Sequence, residues 1–259
     1  LNFIYRIYYT NKGCFHMLKI LFSPAESKKS GGNEIKKELF CYDGAREDIL
    51  EEYNAIVNGS DEDGIKKLFG FKKYDDCKAY ITDIFNSPLM HAVQRYSGVA
   101  YEHLDFDSLD KNAKNYIMQN CIIFSNLYGP ILGGDTIANY KVKQGEDIGK
   151  FAPDKFYKDR FSYQLDLYLG NSDILDLRAG YYDKFYTVSK PYTTLKFLKD
   201  GKVVSHWAKA YRGLVLREIA KSGINSIDEF TALEIEGLHV QEIKIIKNKT
   251  EITYNIVDL

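Results

Sequence analysis

Between residues 206 and 217 the chain places cations where one surface can present them together. At about 100° per residue, His206, Lys209, Gly213 and Arg217 fall along one helical stripe with Arg212 beside it. Lysine and arginine one turn apart on a helix suit phosphate, and the planar arginine fork can bind it bidentately. Gly213 costs such a helix about 1 kcal/mol, so it marks close approach of another backbone or of a ligand. The same spacing also fits a solvated face with a packing glycine. Upstream, Ser23-Pro24-Ala25 and Ser27-Lys28-Lys29 follow the run Leu18 to Phe22. A polar turn after a central strand is a common ligand position, and a plain surface loop has the same composition. Arg95-Tyr96-Ser97-Gly98 and Ser125-Asn126-Leu127-Tyr128-Gly129 combine hydroxyls and aromatic rings on which bases can stack, or they simply end a helix and a strand. Asp135 is a candidate general base, to work with Ser23 if the protein is an enzyme, or a capping residue.

Several chemistries find no support. The chain has no GxxxxGK[ST], no GxGxxG after a strand, no HExxH and no GxSxG. Its five histidines are scattered, so neither a metal site nor a cofactor is expected. Cys14, Cys41, Cys77 and Cys121 are widely spaced without a CxxC pair, which fits free thiols in a reducing, cytoplasmic setting. No apolar run approaches the roughly 20 residues of a membrane span. The net charge is −1, yet its distribution is uneven. Asp43 to Asp63 holds eight acids and one base, whereas Lys184 to Lys221 holds nine bases and two acids. A polyanion would therefore meet attraction on one face only.

These residues need elements to hold them. The 259-residue length and 45% apolar content suit one large globular domain. Translation is expected to start at Met17, with residues 1–16 a non-native leader or a disordered arm and 17–259 forming the domain. Leu18 to Phe22 reads as a strand, and residues 45–85 as two or three amphipathic helices broken at Asn58-Gly59-Ser60. Helices are expected from Pro88 through Tyr96 and from Ser108 to Met118. Cys121 to Phe124 is an apolar strand, Pro153 to Leu169 a helix, and Ile174 to Leu177 a further strand. Asp200-Gly201 between two β-rich runs predicts a tight hairpin. A helix from Trp207 to Lys221 follows, and Ser226 with Glu229 makes a capping box. A last hairpin turns at Lys247-Asn248-Lys249. Because helices and strands interleave without a strict βαβ rhythm, the class read is α+β, a mixed sheet flanked by helices.

The order of these segments resembles the YaaA family, bacterial peroxide stress-resistance proteins. The resemblance is carried by Ser23-Pro24-Ala25, by Arg95 to Tyr101, by Ser125 to Gly129, by Asp135, by Tyr140-Lys141-Val142-Lys143, and by Ala208-Lys209-Ala210-Tyr211-Arg212-Gly213-Leu214. It spans Met17 to about Phe230. Glu26 stands where the family usually has lysine, with Lys28 or Lys29 as a substitute. Gly133-Gly134 replaces an Arg-Pro pair, and Tyr157-Lys158 a Trp-Gly. The resemblance implies a cytosolic fold with a positively charged cleft, and DNA binding through a helix-hairpin-helix-like element, by shape more than by sequence. It also implies protection of DNA and control of free iron under peroxide stress. Lys209 and Arg212 are then the expected phosphate contacts, supported by Arg95, Lys141, Lys143, Arg217 and Lys28. Tyr128 and Tyr96 would be stacking partners and Ser23 a hydroxyl donor. The competing expectation is an enzyme acting on a nucleotide or nucleobase-like small molecule in the same cleft.

Overall fold

The computed structural model describes residues 17–34, 39–41 and 44–257, without the side chains of Ser205 and His206. The expectations for residues 1–16 and for the His206 side chain lie outside the described residues.

One sheet organises the chain. The apolar run after Met17 forms β1 (Leu18–Phe22), and strands that read as continuous apolar segments pair on either side of it. On one side lies β3 (Cys121–Ser125), in parallel with Ile20 opposite Cys121. On the other lies β6 (Asp173–Asp176), also parallel, with Leu18 opposite Asp173. Parallel pairing continues through β7 (Tyr192–Lys199) to β10 (Lys249–Ile256). Antiparallel strands finish the sheet: β4 (Gly129–Leu132) on β3, β9 (Leu238–Ile246) on β10, and β8 (Lys202–Val203) on β7. A separate small ribbon pairs β2 (Met90–His91) with β5 (Thr136–Ile137). The inner strands β1 and β3 are buried along nearly their whole length, as parallel strands covered on both faces must be.

The α+β reading is therefore corrected to an α/β class with a mostly parallel, mixed sheet. About a hundred residues of helix and loop separate β1 from β3, and that distance hid the crossover rhythm. Several elements match their expected positions. Helices α1 (Glu47–Val57) and α2 (Glu62–Phe69) flank the Asn58-Gly59-Ser60 break. Asp200 and Gly201 both adopt positive φ, 52° and 72°, the geometry of a hairpin turn that follows strand twist. The helix expected from Pro88 shrinks to α3 (Ala92–Arg95), because Met90 and His91 pair with Ile137 and Thr136 instead. A tertiary ladder here overrides local propensity. Then come α4 (Val99–Leu104), α5 (Lys111–Asn120), α6 (Pro153–Leu169), α7 (Ser205–Ser222) and α8 (Ile227–Thr231).

α7 rests on the sheet through Tyr211, stacked 5.8 Å from Phe197, which in turn stacks 6.2 Å from Tyr254. It crosses α4 at Gly213, where a Cβ would come 1.9 Å from the Ala100 carbonyl oxygen. That glycine serves close helix packing. Because β3 and β6 leave β1 on opposite sides, the carboxyl ends of these three strands part at a topological switch point, where open α/β sheets place their ligands.

Candidate functional site

Three polar turns meet at this switch point. Ser23 follows β1, Ser125-Asn126 closes β3, and Asp176-Leu177-Arg178 closes β6. The Ser23 hydroxyl accepts from the Ala179 amide at 2.8 Å, and its carbonyl accepts from the Tyr101 hydroxyl at 2.9 Å. The serine thus ties the loop after β6 and helix α4 to the end of β1. Among the described residues that hydroxyl has no acceptor for its own proton.

Beyond Ser23 the chain turns back and runs antiparallel to residues 95–97. The Lys29 amide donates to the Arg95 carbonyl at 2.8 Å and the Ser97 amide to the Ser27 carbonyl at 3.0 Å. This pins Lys28 over two rings, with Nζ 3.9 Å from the centre of Tyr140 and 5.2 Å from that of Tyr96. Lys28 Nζ also donates to the carbonyls of Ala25 and Glu26 at 3.1 and 3.2 Å. Burial first, and then the Lys141 cation, push its pKa well below the usual lysine value. Glu26 binds Lys141 at 3.2 Å and accepts the Gln144 amide at 3.1 Å. Burial alone would raise the Glu26 pKa, but those partners hold it below the ordinary carboxylate value. Behind the lysine, hydroxyls link Tyr96, Tyr140 and Ser125 at 2.9 and 2.8 Å. Next to them the Asn126 amide oxygen is buried without a partner among the described residues.

Many residues named from sequence are built into the architecture instead. Arg95 is fully buried; Nη1 donates to the Lys29 and Gly31 carbonyls at 2.7 and 2.8 Å, and Nη2 to those of Pro88 and Ile137 at 2.9 and 3.3 Å. Carbonyls, not phosphates, occupy it. Arg217 caps α4 by donating to the Leu104 and Asp105 carbonyls, each at 2.9 Å. Tyr96 and Tyr128 are buried and present no open stacking face. Lys143 is half exposed and pairs with Glu146 at 3.5 Å. Asp135 accepts the Phe40 and Leu132 amides, both at 2.9 Å, and burial raises its pKa. It follows β4, beyond the amino-terminal end of β3, whereas Ser23 follows the carboxyl end of β1. The two candidate catalytic residues thus sit at opposite ends of the parallel strands.

Lys209 and Arg212 are different. Lys209 is exposed, and Arg212 is partly buried. Neither makes a hydrogen bond or ion pair among the described residues. Burial lowers the Arg212 pKa, opposed by the carboxylate of Asp176. That carboxylate is already engaged, taking Arg178 Nε on Oδ1 at 2.9 Å and Nη2 on Oδ2 at 2.7 Å. Arg178 lies over the Phe124 ring at 4.5 Å and donates to the Tyr182 and Tyr186 carbonyls. Asp176-Arg178 and Glu26-Lys141 were missed as pairs in the sequence. Their one signal was position, since polar residues follow the ends of three central strands.

α7 and α8 are joined by Gly223-Ile224-Asn225-Ser226, with Gly223 at φ 64°. The turn amides of Gly223, Ile224 and Asn225 donate to the Ala220 carbonyl, the Ile219 carbonyl and the Glu229 carboxylate. A shallow cavity of about 150 Å³ lies beside Tyr96 and Tyr101, rimmed by Lys29, Glu102, Asp105 and Asp107. It is smaller than the roughly 300–1,000 Å³ of small-molecule sites, and neither Lys209 nor Arg212 lines it.

A family model described as peroxide stress protein YaaA matches residues 18–244. The uncharacterized protein Cj0984 of Campylobacter jejuni is 45% identical over 249 residues, covering 93% of this chain and 100% of that protein. UPF0246 protein CE1889 of Corynebacterium efficiens is 32% identical over 215 residues, covering 78% of this chain and 85% of that protein. UPF0246 protein SCO2297 of Streptomyces coelicolor is 28% identical over 217 residues, covering 79% and 83%.

Proposed function

Since the chain belongs to the YaaA peroxide stress protein family, we propose that it acts in that response by binding DNA through the phosphate backbone, with Arg212 and Lys209 as the contacts. The observation that carries this reading is the pair's lack of acceptors among the described residues. Arg212 is partly withdrawn from water, yet among the described residues no carbonyl or carboxylate takes its donors, and an exposed lysine stands one turn away on the same helix. A desolvated cation costs stability unless something binds it, and phosphate oxygens complete the guanidinium well. The contacts are assigned to side chains of α7, because the amides of Gly223 to Asn225 already have acceptors. Recognition through phosphates positions a protein on a duplex without reading sequence.

The test is a fluorescence-anisotropy titration of the protein with a labelled 25-base-pair duplex, competed by unlabelled duplex or by a mononucleotide. Competition by duplex alone supports the reading. Equal competition by the mononucleotide at matched phosphate concentration would move the site to small anionic ligands.

A further inference from the structure

β9 is the edge of the sheet, hydrogen-bonded to β10 on one side and to no described strand on the other. It is nine residues long and contains no proline. Its outer row of amides and carbonyls is thus a template for another strand. Soluble proteins usually blunt such an edge with charge, and β9 carries Glu242 and Lys244, yet Val240, Ile243, Ile245 and Ile246 are also 51, 53, 79 and 47% exposed. The register gives these residues a side. Val240, Ile243 and Ile245 stand opposite Tyr254, Ile252 and Thr250 on β10, so all three share one face. The irregularity at Gln241, between the pairs of Thr253 and Tyr254, brings Val240 onto that face; unbroken alternation would have turned it away. The other face carries Glu242 and Lys244, paired with each other at 2.8 Å, and beyond them Ile246 opposite Lys249.

We propose that β9 is a self-association strand, pairing antiparallel with β9 of a second copy of this chain about a two-fold axis at Ile243. The charge order selects that partner and that register. With the axis at Ile243, Glu242 of each copy lies opposite Lys244 of the other, and Ile243 packs on its own counterpart. Moving the axis one residue sets Glu242 against Glu242, or Lys244 against Lys244, and like charges directly opposite are destabilising. A two-fold axis normal to the sheet keeps each face on its own side, so the apolar face of one copy continues into that of the other. The two sheets become one, and the contact is isologous. This inference is independent of the phosphate reading.

Sedimentation equilibrium of the full chain between 1 and 100 µM provides the test, with urea unfolding of each variant as a check on the fold. The wild type should be dimeric in this range. Glu242→Lys should weaken the dimer by about tenfold or more, and Glu242→Lys/Lys244→Glu should restore it, because the swap rebuilds both cross-strand pairs. A wild type that stays monomeric at 100 µM overturns the proposal, as does a dimer indifferent to Glu242→Lys. If the full chain is monomeric while residues 17–259 dimerise, the first sixteen residues prevent the association, and the second-copy proposal is equally lost.

Discussion

Arg95 and Arg212 are both withdrawn from water, and both look like phosphate ligands in the sequence. Around Arg95 four carbonyl oxygens, from Lys29, Gly31, Pro88 and Ile137, close on the guanidinium. Around Arg212 no described residue supplies such an acceptor, and the Asp176 carboxylate that favours its charge is already bound to Arg178. The first region is a latch that holds residues 29–31 against the β2–β5 ribbon. The second is a partly buried cation near Asp176 with no comparable latch among the described residues. A buried charge reports function only once its acceptors have been counted.

Removing the latch should have the largest effect. Arg95→Met leaves buried carbonyls unpaired and should lower unfolding free energy by on the order of 4 kcal/mol in urea titrations. A loss below about 1 kcal/mol would erase the distinction between the two arginines. Gly213→Ala comes next, since its Cβ would meet the Ala100 carbonyl; separating α4 from α7 should cost about 1–3 kcal/mol. DNA affinity should fall with it if the α4–α7 contact positions Arg212.

Lys19 is an intermediate case that sharpens the comparison. Among the described residues it has one acceptor, Asn120 Oδ1 at 2.8 Å, and the ring of Tyr168 at 5.0 Å. Burial pushes its pKa down to about 8, below its unfolded value. The unfolded chain therefore holds more protons in that window, and stability should rise as pH climbs from about 8 towards 10. Lys19→Met should flatten this rise in urea midpoints taken across pH 7–9.5. Arg212→Met should have the smallest effect on stability, within about 0.5 kcal/mol or slightly favourable. A large loss there would make Arg212 a second latch.

Local signals were legible because they depend on near neighbours. The runs of β1 and β3 announced buried strands, Pro153 and Leu169 bounded α6, and Asp200-Gly201 gave the hairpin. The parallel class was not legible, because it depends on which strands meet across a hundred residues. Nor was the fate of Arg95, whose acceptors come from three separate segments. Glu26 looked like a lost cation, and only the fold brings Lys141 to it from 115 positions away. Tyr96 and Tyr128 failed as stacking platforms for the same reason: the residues that bury them are remote in sequence.

The most direct measurement is the salt dependence of duplex binding for the wild type and for Lys209→Ala/Arg212→Ala, with the stability of both proteins determined alongside. The account predicts equal stability, weaker binding by the variant, and a plot of log affinity against log salt shallower by about two. An unchanged affinity and slope in a well-folded variant would contradict the assignment of these two residues.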